Sequence, residues 1–326
     1  MPGKITLSAW PTPVEPLPRL AAAVGLDPDD LWIKRDDLTG LGGGGNKVRK
    51  LEWTVGEAID AGADTLVTVG AAQSNHARLT AAAGARLGLD VVLVLPGKEP
   101  AAGSGTGNLV LDGLFGARVV WAGDAEPAGL ADAAMEVCDR LRRAGALPHL
   151  IPFGGSSPAG ARGYGEGGEE LRAQLPNLAH VVVALGSGGT MAGLVAALGE
   201  ERVLGVHCGA VTRPAPIVAD LAGAVAHRRV APDALRIRSD QVGAGYAALH
   251  EPVLDAMRTA AATEGIVLDP TYTGRAMAGL LAAVREGVIH RGQRTVFLHT
   301  GGLPRLFGHA DAVRRSVAGL RPYEGS

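Results

Sequence analysis

Short apolar runs of strand length alternate along the chain with longer segments in which apolar residues recur at helical spacing. The runs are continuous stretches of Val and Leu rather than alternations with polar residues, which is typical of strands covered on both faces. Strand–helix alternation of this kind predicts an α/β fold with two open, twisted, mainly parallel sheets. The predicted strands are Leu31–Lys34, Thr65–Val69, Val91–Leu95, Arg118–Trp121, Val181–Leu185, Val203–Val206 and Thr295–Leu298.

The alternation falls into two series, over residues 64–151 and 179–299. A Gly/Ser/Pro-rich segment, Pro152–Gly168, lies between them and is the natural boundary. A chain of 326 residues suits two domains better than one. The pattern therefore predicts two α/β units in sequence.

Composition and charge exclude several classes of protein. The chain has 47% hydrophobic and 20% charged residues, as ordinary globular proteins do, and a net charge of −2 argues against a nucleic-acid partner. Its two cysteines, Cys138 and Cys208, exclude a disulfide scaffold and argue against a cysteine-based metal site. The first residues lack the apolar core of a signal peptide and no run reaches 18 apolar residues, so we expect a cytoplasmic protein without membrane spans.

The first of four glycine-rich segments is Gly42–Lys50, with the sequence GGGGNKVRK. Asn46 is a residue type that caps helices, and Val48 and Leu51 continue a helical pattern, so we expect Lys47 in the first turn of a helix. A positive charge there opposes the helix dipole, which lowers the pKa of the amine and favours a Schiff-base nucleophile. Taken alone, the segment is better explained as a solvated basic face.

The second segment is Val69–Arg78, VGAAQSNHAR, which follows a predicted strand and leads into a predicted helix over His76–Leu87. Ser74 and Asn75 could simply cap that helix, and an isolated Ser-Asn pair usually does so. The functional interpretation is that the hydroxyl, amide and backbone N–H groups at this helix start bind a carboxylate.

The third segment is Gly186–Gly193, GSGGTMAG, directly after a predicted strand. A glycine-rich turn entering a helix can hold a phosphate on its backbone N–H groups. The segment is not a Walker loop, because no Gly-Lys-Ser/Thr follows, and no acidic residue is placed as in a dinucleotide fingerprint. A tight turn without a ligand is the alternative interpretation.

Two further segments place polar side chains near strand ends, where ligands collect in open α/β sheets. Thr300 lies in the fourth glycine-rich segment, Leu298–Pro304 (LHTGGLP), after the last predicted strand. Tyr272 lies in LDPTYTGRAM, before a helix. Each residue taken by itself is more often a turn or packing residue.

Five segments together resemble those of the D-cysteine desulfhydrases and of their relatives, the 1-aminocyclopropane-1-carboxylate deaminases, in order and in spacing. They are KRDDLTGLGGGGNKVRKLEW, GAAQSNHARLTAAAGARLGL, GSGGTMAGL, LDPTYTGRAMAGL and LHTGGLPRLFG, and the resemblance runs from about Pro11 to His309. It implies a fold-type-II pyridoxal-phosphate enzyme, commonly a homodimer, with the active site between a small and a large α/β domain. The small domain would be residues 48–155 and the large one residues 1–47 with 156–326, which replaces the division into two halves.

The resemblance implies that Lys47 holds pyridoxal 5′-phosphate as a Schiff base. By the same motifs, Asn75 would bond the 3′-oxygen of the cofactor, and Ser74 would lie near the substrate carboxylate with the backbone amides of Asn75 and His76. Tyr272 corresponds to the active-site tyrosine, and Tyr246, in GAGY, to a second tyrosine nearby.

The remaining implied contacts concern the phosphate and the pyridine ring. Thr300 corresponds to the residue near the pyridine nitrogen, and Lys50 would add positive charge at the phosphate. The phosphate-binding turn would consist of Gly186, Ser187, Gly188, Gly189 and Thr190.

Two positions bear on the substrate. The deaminases of this family carry Glu after the active-site tyrosine and Leu before the Gly-Gly pair, whereas this chain has Thr273 and Thr300, as the desulfhydrases do. A hydroxyl near the pyridine nitrogen favours a neutral ring, which suits elimination of a leaving group, while a carboxylate would keep the nitrogen protonated and make a stronger electron sink. We therefore expect β-elimination from D-cysteine to pyruvate, sulfide and ammonia.

Some segments depart from the family pattern and leave other substrates open. GAGY replaces a more usual Pro-Gly-Tyr, so we expect Ala244 to lie in a more flexible loop. The segment Gly97–Gly107 is shorter than in typical desulfhydrases. The cyclopropane amino acid, L-cysteate, D-serine, β-chloro-D-alanine and a specialised biosynthetic amino acid are the alternatives.

Three other classes of protein compete with a lyase. A nucleotide-binding oxidoreductase fits the alternation but leaves the Lys47 segment unexplained. A non-catalytic cofactor-binding protein would not need Ser74 and Tyr272. A metal hydrolase is not favoured, because the nine scattered histidines show no metal-ligand spacing. Arg35, Asp36 and Asp37 could order the Lys47 loop by ion pairing or cap a turn, and we expect a structural role.

Overall fold

The structure is a computed structural model that describes residues 3–101 and 103–321. Some sequence-based predictions include residues outside these ranges. Those residues are Met1 and Pro2 at the N-terminus, Ala102 in the Gly97–Gly107 segment, and residues 322–326 at the end of the expected large domain.

The elements alternate as the sequence pattern predicts. The strands are β1 (Val14–Pro16), β2 (Leu31–Lys34), β3 (Thr65–Val69), β4 (Asp90–Leu95), β5 (Arg118–Trp121), β6 (Pro148–Ile151), β7 (His180–Leu185), β8 (Val203–His207), β9 (Arg236–Arg238) and β10 (Thr295–Leu298). The α-helices are α1 (Pro18–Ala23), α2 (Lys47–Asp60), α3 (Asn75–Leu87), α4 (Asn108–Leu114), α5 (Pro127–Arg143), α6 (Pro158–Gln174), α7 (Gly189–Leu198), α8 (Pro214–Ala226), α9 (Glu251–Glu264), α10 (Thr273–Arg285), α11 (Leu303–Phe307) and α12 (Ala310–Val317).

The larger sheet has six strands in the order β1-β2-β10-β7-β8-β9. Strand β1 pairs antiparallel with β2, and all the other pairs are parallel. Apolar side chains from α1, α9 and α10 cover one face, and those from α6, α7 and α8 cover the other. Coverage of both faces explains why β7 reads as an unbroken apolar run.

The smaller sheet has four parallel strands in the order β5-β4-β3-β6. All four come from residues 65–151, a continuous stretch of chain inserted between β2 and β7 of the larger sheet. Helices α2 and α3 pack on one face through a core that includes Val48, Leu51 and Leu79, and α5 packs on the other.

The predicted fold class is confirmed, and every strand predicted from the sequence is present within one or two residues of its expected bounds. Three strands were not predicted. Strands β1 and β6 contain proline, which weakens a strand signal, and β9 is the three-residue segment RIR at the edge of the larger sheet. Short edge strands carry little apolar periodicity, so the pattern misses them.

None of the helices in the described part of the chain is long and apolar enough to cross a bilayer.

Candidate active site

The loop before α2 contains four glycines, Gly42–Gly45, all with positive φ, so any other residue there would strain the backbone. Gly44 has φ +74°, and a Cβ atom there would overlap the Asp37 carbonyl oxygen. Gly45 has φ +132°, exchanges hydrogen bonds with the Thr39 hydroxyl, and lies against the Thr300 carbonyl oxygen. The run GGGG therefore packs the chain closely between two other loops and delivers Lys47 at the start of α2.

Asn46 does not act as the predicted helix cap. Its backbone is helical and its side chain makes no capping hydrogen bond. Instead its Nδ2 donates to Thr190 Oγ1 at 3.0 Å, and its backbone N–H donates to the Thr300 carbonyl oxygen at 3.1 Å. Tertiary contacts override the local preference and tie the start of α2 to the third and fourth glycine-rich segments.

The Lys47 amine lies in a cavity and donates to the Gly154 carbonyl oxygen at 3.0 Å. Burial lowers its pKa from 10.5 to about 8. The sequence predicts a lowered pKa from the helix dipole, but burial is the main cause in the structure. A substantial fraction of such an amine is neutral near pH 8, which is the form that attacks a carbonyl carbon.

Lys50 lies one turn further along α2 and is fully buried. Its Nζ donates to the same Gly154 carbonyl oxygen at 3.1 Å and to Ser156 Oγ at 2.9 Å. Burial, together with the charge of Lys47, lowers the Lys50 pKa well below its ordinary value. Two amines that share one carbonyl oxygen form a site that is electrostatically suited to an anion.

The predicted phosphate turn lies beside these amines, where β7 ends and α7 begins. Gly188 has φ +96°, and a Cβ atom on Gly189 would lie 2.8 Å from both Lys50 Nζ and Ser156 Oγ. Ser156 Oγ also contacts Ser187 Oγ at 2.8 Å and accepts from the Gly189 N–H at 3.1 Å. Buried donors, glycine backbone and two amines fit the phosphate of pyridoxal phosphate.

Ser74 is the N-cap of α3, as predicted, and its Oγ accepts from the Ala77 N–H at 3.1 Å. Its carbonyl oxygen accepts from the Arg78 N–H. The N–H groups of Asn75 and His76 begin the same helix, where no intrahelical carbonyl can reach them, and both residues line the cavity. This helix start can therefore receive a carboxylate.

The tautomer of His76 follows from its neighbour. The Thr68 hydroxyl donates its only hydrogen to the Ile151 carbonyl oxygen at 2.8 Å, so at its 3.0 Å contact with His76 Nε2 it must accept. Nε2 therefore carries the hydrogen and Nδ1 is an unprotonated, buried atom without a hydrogen-bond partner. Burial, and then the charges of Lys47 and Lys50, hold the pKa of His76 well below its ordinary value, so the ring is neutral.

Tyr246 and Tyr272 also line the cavity, with their hydroxyl groups in hydrogen-bond contact. The rings meet edge to face, with centroids 6.0 Å apart, and the Arg305 guanidinium lies over both, 5.2 and 5.3 Å from the ring centroids. Burial, and then the neighbouring Tyr246, raise the pKa of Tyr272 well above its ordinary value, so its hydroxyl keeps its proton.

Thr300 lines the cavity after the end of β10, but Thr273 does not. Thr273 is fully buried, and its hydroxyl donates to Asp269 Oδ1 and accepts from the Asp269 N–H, both at 2.8 Å. Asp269 also accepts from the backbone N–H of Tyr272 at 3.1 Å. Thr273 therefore shapes the turn that carries Tyr272, and of the two substrate-related positions only Thr300 faces the cavity.

The structure brings the sequence-predicted residues together around one cavity. Lining it are Lys47, Ser74, Asn75, His76, Gly186, Ser187, Gly188, Thr190, Tyr246, Tyr272 and Thr300, while Lys50 and Gly189 meet directly behind it. Sequence reasoning missed Phe153, Gly154 and Ser156, because Pro152–Gly168 was interpreted only as a boundary. The usable signal was a Gly-Gly-Ser-Ser run after the end of β6, where ligands collect.

Asp36 forms a buried anchor for α2, and the contacts of Arg35–Asp37 support the structural role expected for them. The Arg49 guanidinium donates to Asp36 at 2.8 and 3.0 Å and to Glu170 at 2.9 and 3.0 Å, and stacks 3.9 Å from the Trp10 ring centroid. Arg35 pairs with Asp37 and Glu15 nearer the surface. The Asp36–Arg49 pair fixes the helix two residues beyond Lys47.

Across residues 3–101 and 103–321, His, Cys, Asp and Glu side chains form no cluster of three or more suited to a metal ion. Cys138 and Cys208 are both buried and unpaired with each other.

Comparisons of sequence and of structure find several known proteins similar to this chain. The family model for "pyridoxal-phosphate dependent enzyme" matches residues 5–301. A protein of Pyrococcus furiosus, provisionally named 1-aminocyclopropane-1-carboxylate deaminase, is 38% identical over 323 residues, covering 95% of both chains. The D-cysteine desulfhydrase of Salmonella choleraesuis is 38% identical over 322 residues, covering 94% of this chain and 96% of the relative. The crystal structure of a homologue of 1-aminocyclopropane-1-carboxylate deaminase superposes with a TM-score of 0.87 at 36% identity, covering 96% of each chain.

Proposed function

Since the chain belongs to the family of pyridoxal-phosphate dependent enzymes, we propose that it is a lyase that eliminates the β-substituent of a small amino acid. The preferred substrate is D-cysteine, which reacts with water to give pyruvate, sulfide and ammonia. When bound, the cofactor takes up the negative charge that develops at the substrate Cα atom.

One observation carries the choice of reaction. Within the described residues, no carboxylate lines the cavity, and the segment after β10 contributes the Thr300 hydroxyl to its lining. A hydroxyl does not hold a pyridine nitrogen in its protonated form as a carboxylate does. A neutral ring is the weaker electron sink, which is sufficient when a leaving group departs promptly from Cβ.

Lys47 is proposed to act twice. Its amine, with a pKa lowered to about 8, attaches the cofactor through the neutral form. After the substrate amine has replaced it there, the freed amine can take the Cα proton. Lys50, Ser156 and the turn at Gly189 are proposed to hold the phosphate, so that the cofactor stays in place while Lys47 is detached.

The start of α3 is proposed to hold the substrate carboxylate. Because Ser74 Oγ accepts from the Ala77 N–H, its own hydrogen is free to donate into the cavity, beside the backbone N–H groups of Asn75 and His76. Three donors at a helix N-terminus orient a carboxylate and exclude water from its neighbourhood.

The tyrosine pair is proposed to protonate the departing sulfur. Because burial keeps Tyr272 protonated, its hydroxyl can donate, and Tyr246 can pass on a replacement proton through their hydrogen bond. The expected result for Tyr272→Phe is a visible cofactor band like that of the unmodified protein and a fall in kcat of about 10²- to 10⁴-fold. An unchanged kcat in this variant would exclude Tyr272 as the proton donor.

The direct test of the reaction is to add D-cysteine to the protein loaded with pyridoxal phosphate and to measure sulfide and pyruvate. We expect equal amounts of both, with L-cysteine as a stereochemical comparison. Ammonia release from 1-aminocyclopropane-1-carboxylate without sulfide release from D-cysteine would overturn the assignment.

Deamination of 1-aminocyclopropane-1-carboxylate is the second candidate. The Pyrococcus furiosus relative that carries this name is as similar to the chain as the Salmonella desulfhydrase. Opening of the cyclopropane ring expels no leaving group, so deamination gains more from a protonated pyridine nitrogen than elimination does. The lack of a lining carboxylate among the described residues therefore favours D-cysteine.

L-cysteate fits less well than D-cysteine. Its sulfonate is a second anion, and in the described part of the chain Lys47 is the only lysine or arginine that lines the cavity. With the substrate bound, the freed Lys47 amine must be neutral to take the Cα proton, so that second anion would be buried without a cationic partner, which is unfavourable.

Larger-scale organisation is proposed from the family resemblance. The insertion of residues 65–151 between β2 and β7 supports a small domain of residues 48–155 and a large domain formed by the rest. A cytoplasmic homodimer is the proposed assembly, which light scattering of the purified protein would test through its mass.

A further inference from the structure

The Asn75 side chain is held from behind by two buried residues, Asn108 on α4 and Arg78 on α3. Asn75 Oδ1 accepts from Asn108 Nδ2 at 3.0 Å and from Arg78 Nη2 at 3.4 Å. Asn108 and Arg78 are both fully buried, whereas Asn75 lies at the cavity wall. The contacts therefore reach the cavity only through Asn75.

The direction of every hydrogen bond in this group follows from Arg78. A guanidinium has donors and no acceptor, so the Asn108 atom 3.1 Å from Arg78 Nε must be the oxygen Oδ1. The other end of Asn108 is then its NH₂ group, which agrees with its 2.9 Å contact to the carbonyl oxygen of Gln73. The Asn75 atom facing this NH₂ group and Arg78 must in turn be an oxygen.

We propose that Arg78 and Asn108 are positioning residues that fix the Asn75 amide with its NH₂ group toward the cavity. The inference rests on the proposed function, in which Asn75 meets the 3′-oxygen of the cofactor. A flipped amide would present an oxygen there, whereas the fixed amide presents a donor. A donor at this place stabilises the ionised 3′-oxygen over the neutral hydroxyl.

The same arginine also anchors the loop that leads to Lys47. Arg78 Nη1 donates to the carbonyl oxygens of Gly42 at 2.6 Å and Gly44 at 2.9 Å. One buried guanidinium thus fixes the backbone before Lys47 and the amide of Asn75. The two groups that would meet the reactive end of the cofactor share one support.

The test uses the visible and near-ultraviolet bands of the protein loaded with pyridoxal phosphate, because the form with an ionised 3′-oxygen absorbs at longer wavelength than the neutral form. Asn75→Asp keeps an oxygen toward Arg78 and replaces the donor by a second oxygen. Asn108→Asp keeps the acceptor for Arg78 Nε but loses the NH₂ group, which favours a flip of Asn75. We expect the ratio of visible to near-ultraviolet absorbance to fall by about tenfold or more in both variants.

Asp112→Asn is the matched control. Asp112 lies on α4 with Asn108, is also buried and makes no hydrogen bond to Asn75. It is expected to leave the ratio of the two bands unchanged, even if it shifts the thermal midpoint. If Asn108→Asp does not fold, Asn108→Ala replaces it, with a smaller fall expected because the Arg78 contact at 3.4 Å remains.

The outcomes separate this inference from the proposed function. No visible band in the unmodified protein would refute the proposed function itself. A normal band together with an unchanged ratio in the folded Asn108 variants would overturn the positioning role alone. An unchanged ratio in Asn75→Asp would show that Asn75 does not donate to the cofactor, which also overturns the inference.

Discussion

Replacing Arg49 by methionine tests how far the buried ion cluster stabilises the helix that carries Lys47. The Arg49 side chain is 4% exposed, and its partner Asp36 is fully buried. Methionine keeps the apolar stem but removes the guanidinium, and with it the stacking on Trp10 and every hydrogen bond to Asp36 and Glu170. Asp36 then keeps only its hydrogen bonds from Tyr164 and the Thr12 hydroxyl.

The expected loss is about 3–5 kcal/mol of unfolding free energy, the usual consequence of leaving one member of a buried ion pair without its partner. The pH dependence gives a second signature. Burial alone would raise the pKa of Asp36, but the charge and hydrogen bonds of Arg49, with the hydrogen bonds from Tyr164 and Thr12, outweigh it and leave the pKa below its ordinary value. A depressed carboxyl pKa stabilises the fold above the unfolded-state pKa and loses that effect as the pH falls.

Without Arg49 the Asp36 pKa should rise instead, because burial is then less opposed. The deficit of Arg49→Met should therefore be largest near neutral pH. It should shrink as the pH falls, first through the raised Asp36 pKa of the variant and then below the ordinary carboxyl pKa of about 4, where the unmodified protein loses its own stabilisation. The measurement is equilibrium urea unfolding of the loaded protein, followed by circular dichroism and tryptophan fluorescence, at several pH values.

Arg142→Met is the control for a surface pair. Arg142 and Asp139 lie 2.9 Å apart with side chains 58% and 64% exposed, and such pairs contribute less than about 1 kcal/mol. A deficit for Arg49→Met no larger than that of the control, or one that does not change with pH, would refute the assignment of a buried, charge-dependent anchor.

Three further predictions concern cofactor binding. The rate at which the cofactor-free protein captures pyridoxal phosphate should rise with pH and level off above about 8, because the neutral Lys47 amine reacts; a rate still climbing tenfold per unit at pH 10 would contradict this. Lys50→Met should weaken cofactor binding by about 10- to 100-fold in an absorbance titration, while Lys98→Met, at an exposed position, should not change it. Gly44→Ala should prevent a normal cofactor band, since its Cβ would overlap the Asp37 carbonyl oxygen, and an unchanged band would show that the loop can adjust.

Much of the fold could be predicted because its strands are buried on both faces. Continuous apolar runs such as Thr65–Val69 and Val181–Leu185 have a strong signal, and both strands lie within a residue of their predicted bounds. Strands β1 and β9 lie at the two edges of the larger sheet and owe their pairing to neighbours, so local sequence carries little of their signal.

The site, too, could be predicted only in part from the sequence. Residues within motifs, such as Lys47 and Tyr272, could be assigned by resemblance and lie in one cavity. The contacts of Asn46 with Thr190 and of Ser156 with Lys50 could not be predicted. The partners are 144 and 106 positions apart in sequence, respectively, and only the tertiary fold brings them together. The cause of the lowered Lys47 pKa was likewise beyond local reasoning, since burial depends on the whole cavity.

We propose above all that Lys47 is the residue to which the cofactor is attached. The most direct measurement is to load the protein with pyridoxal phosphate, reduce it with borohydride, digest it, and locate the added mass by mass spectrometry. We expect one modified residue, Lys47, and no visible cofactor band in Lys47→Ala. Modification at Lys50 instead, or a visible band that survives in Lys47→Ala, would contradict it.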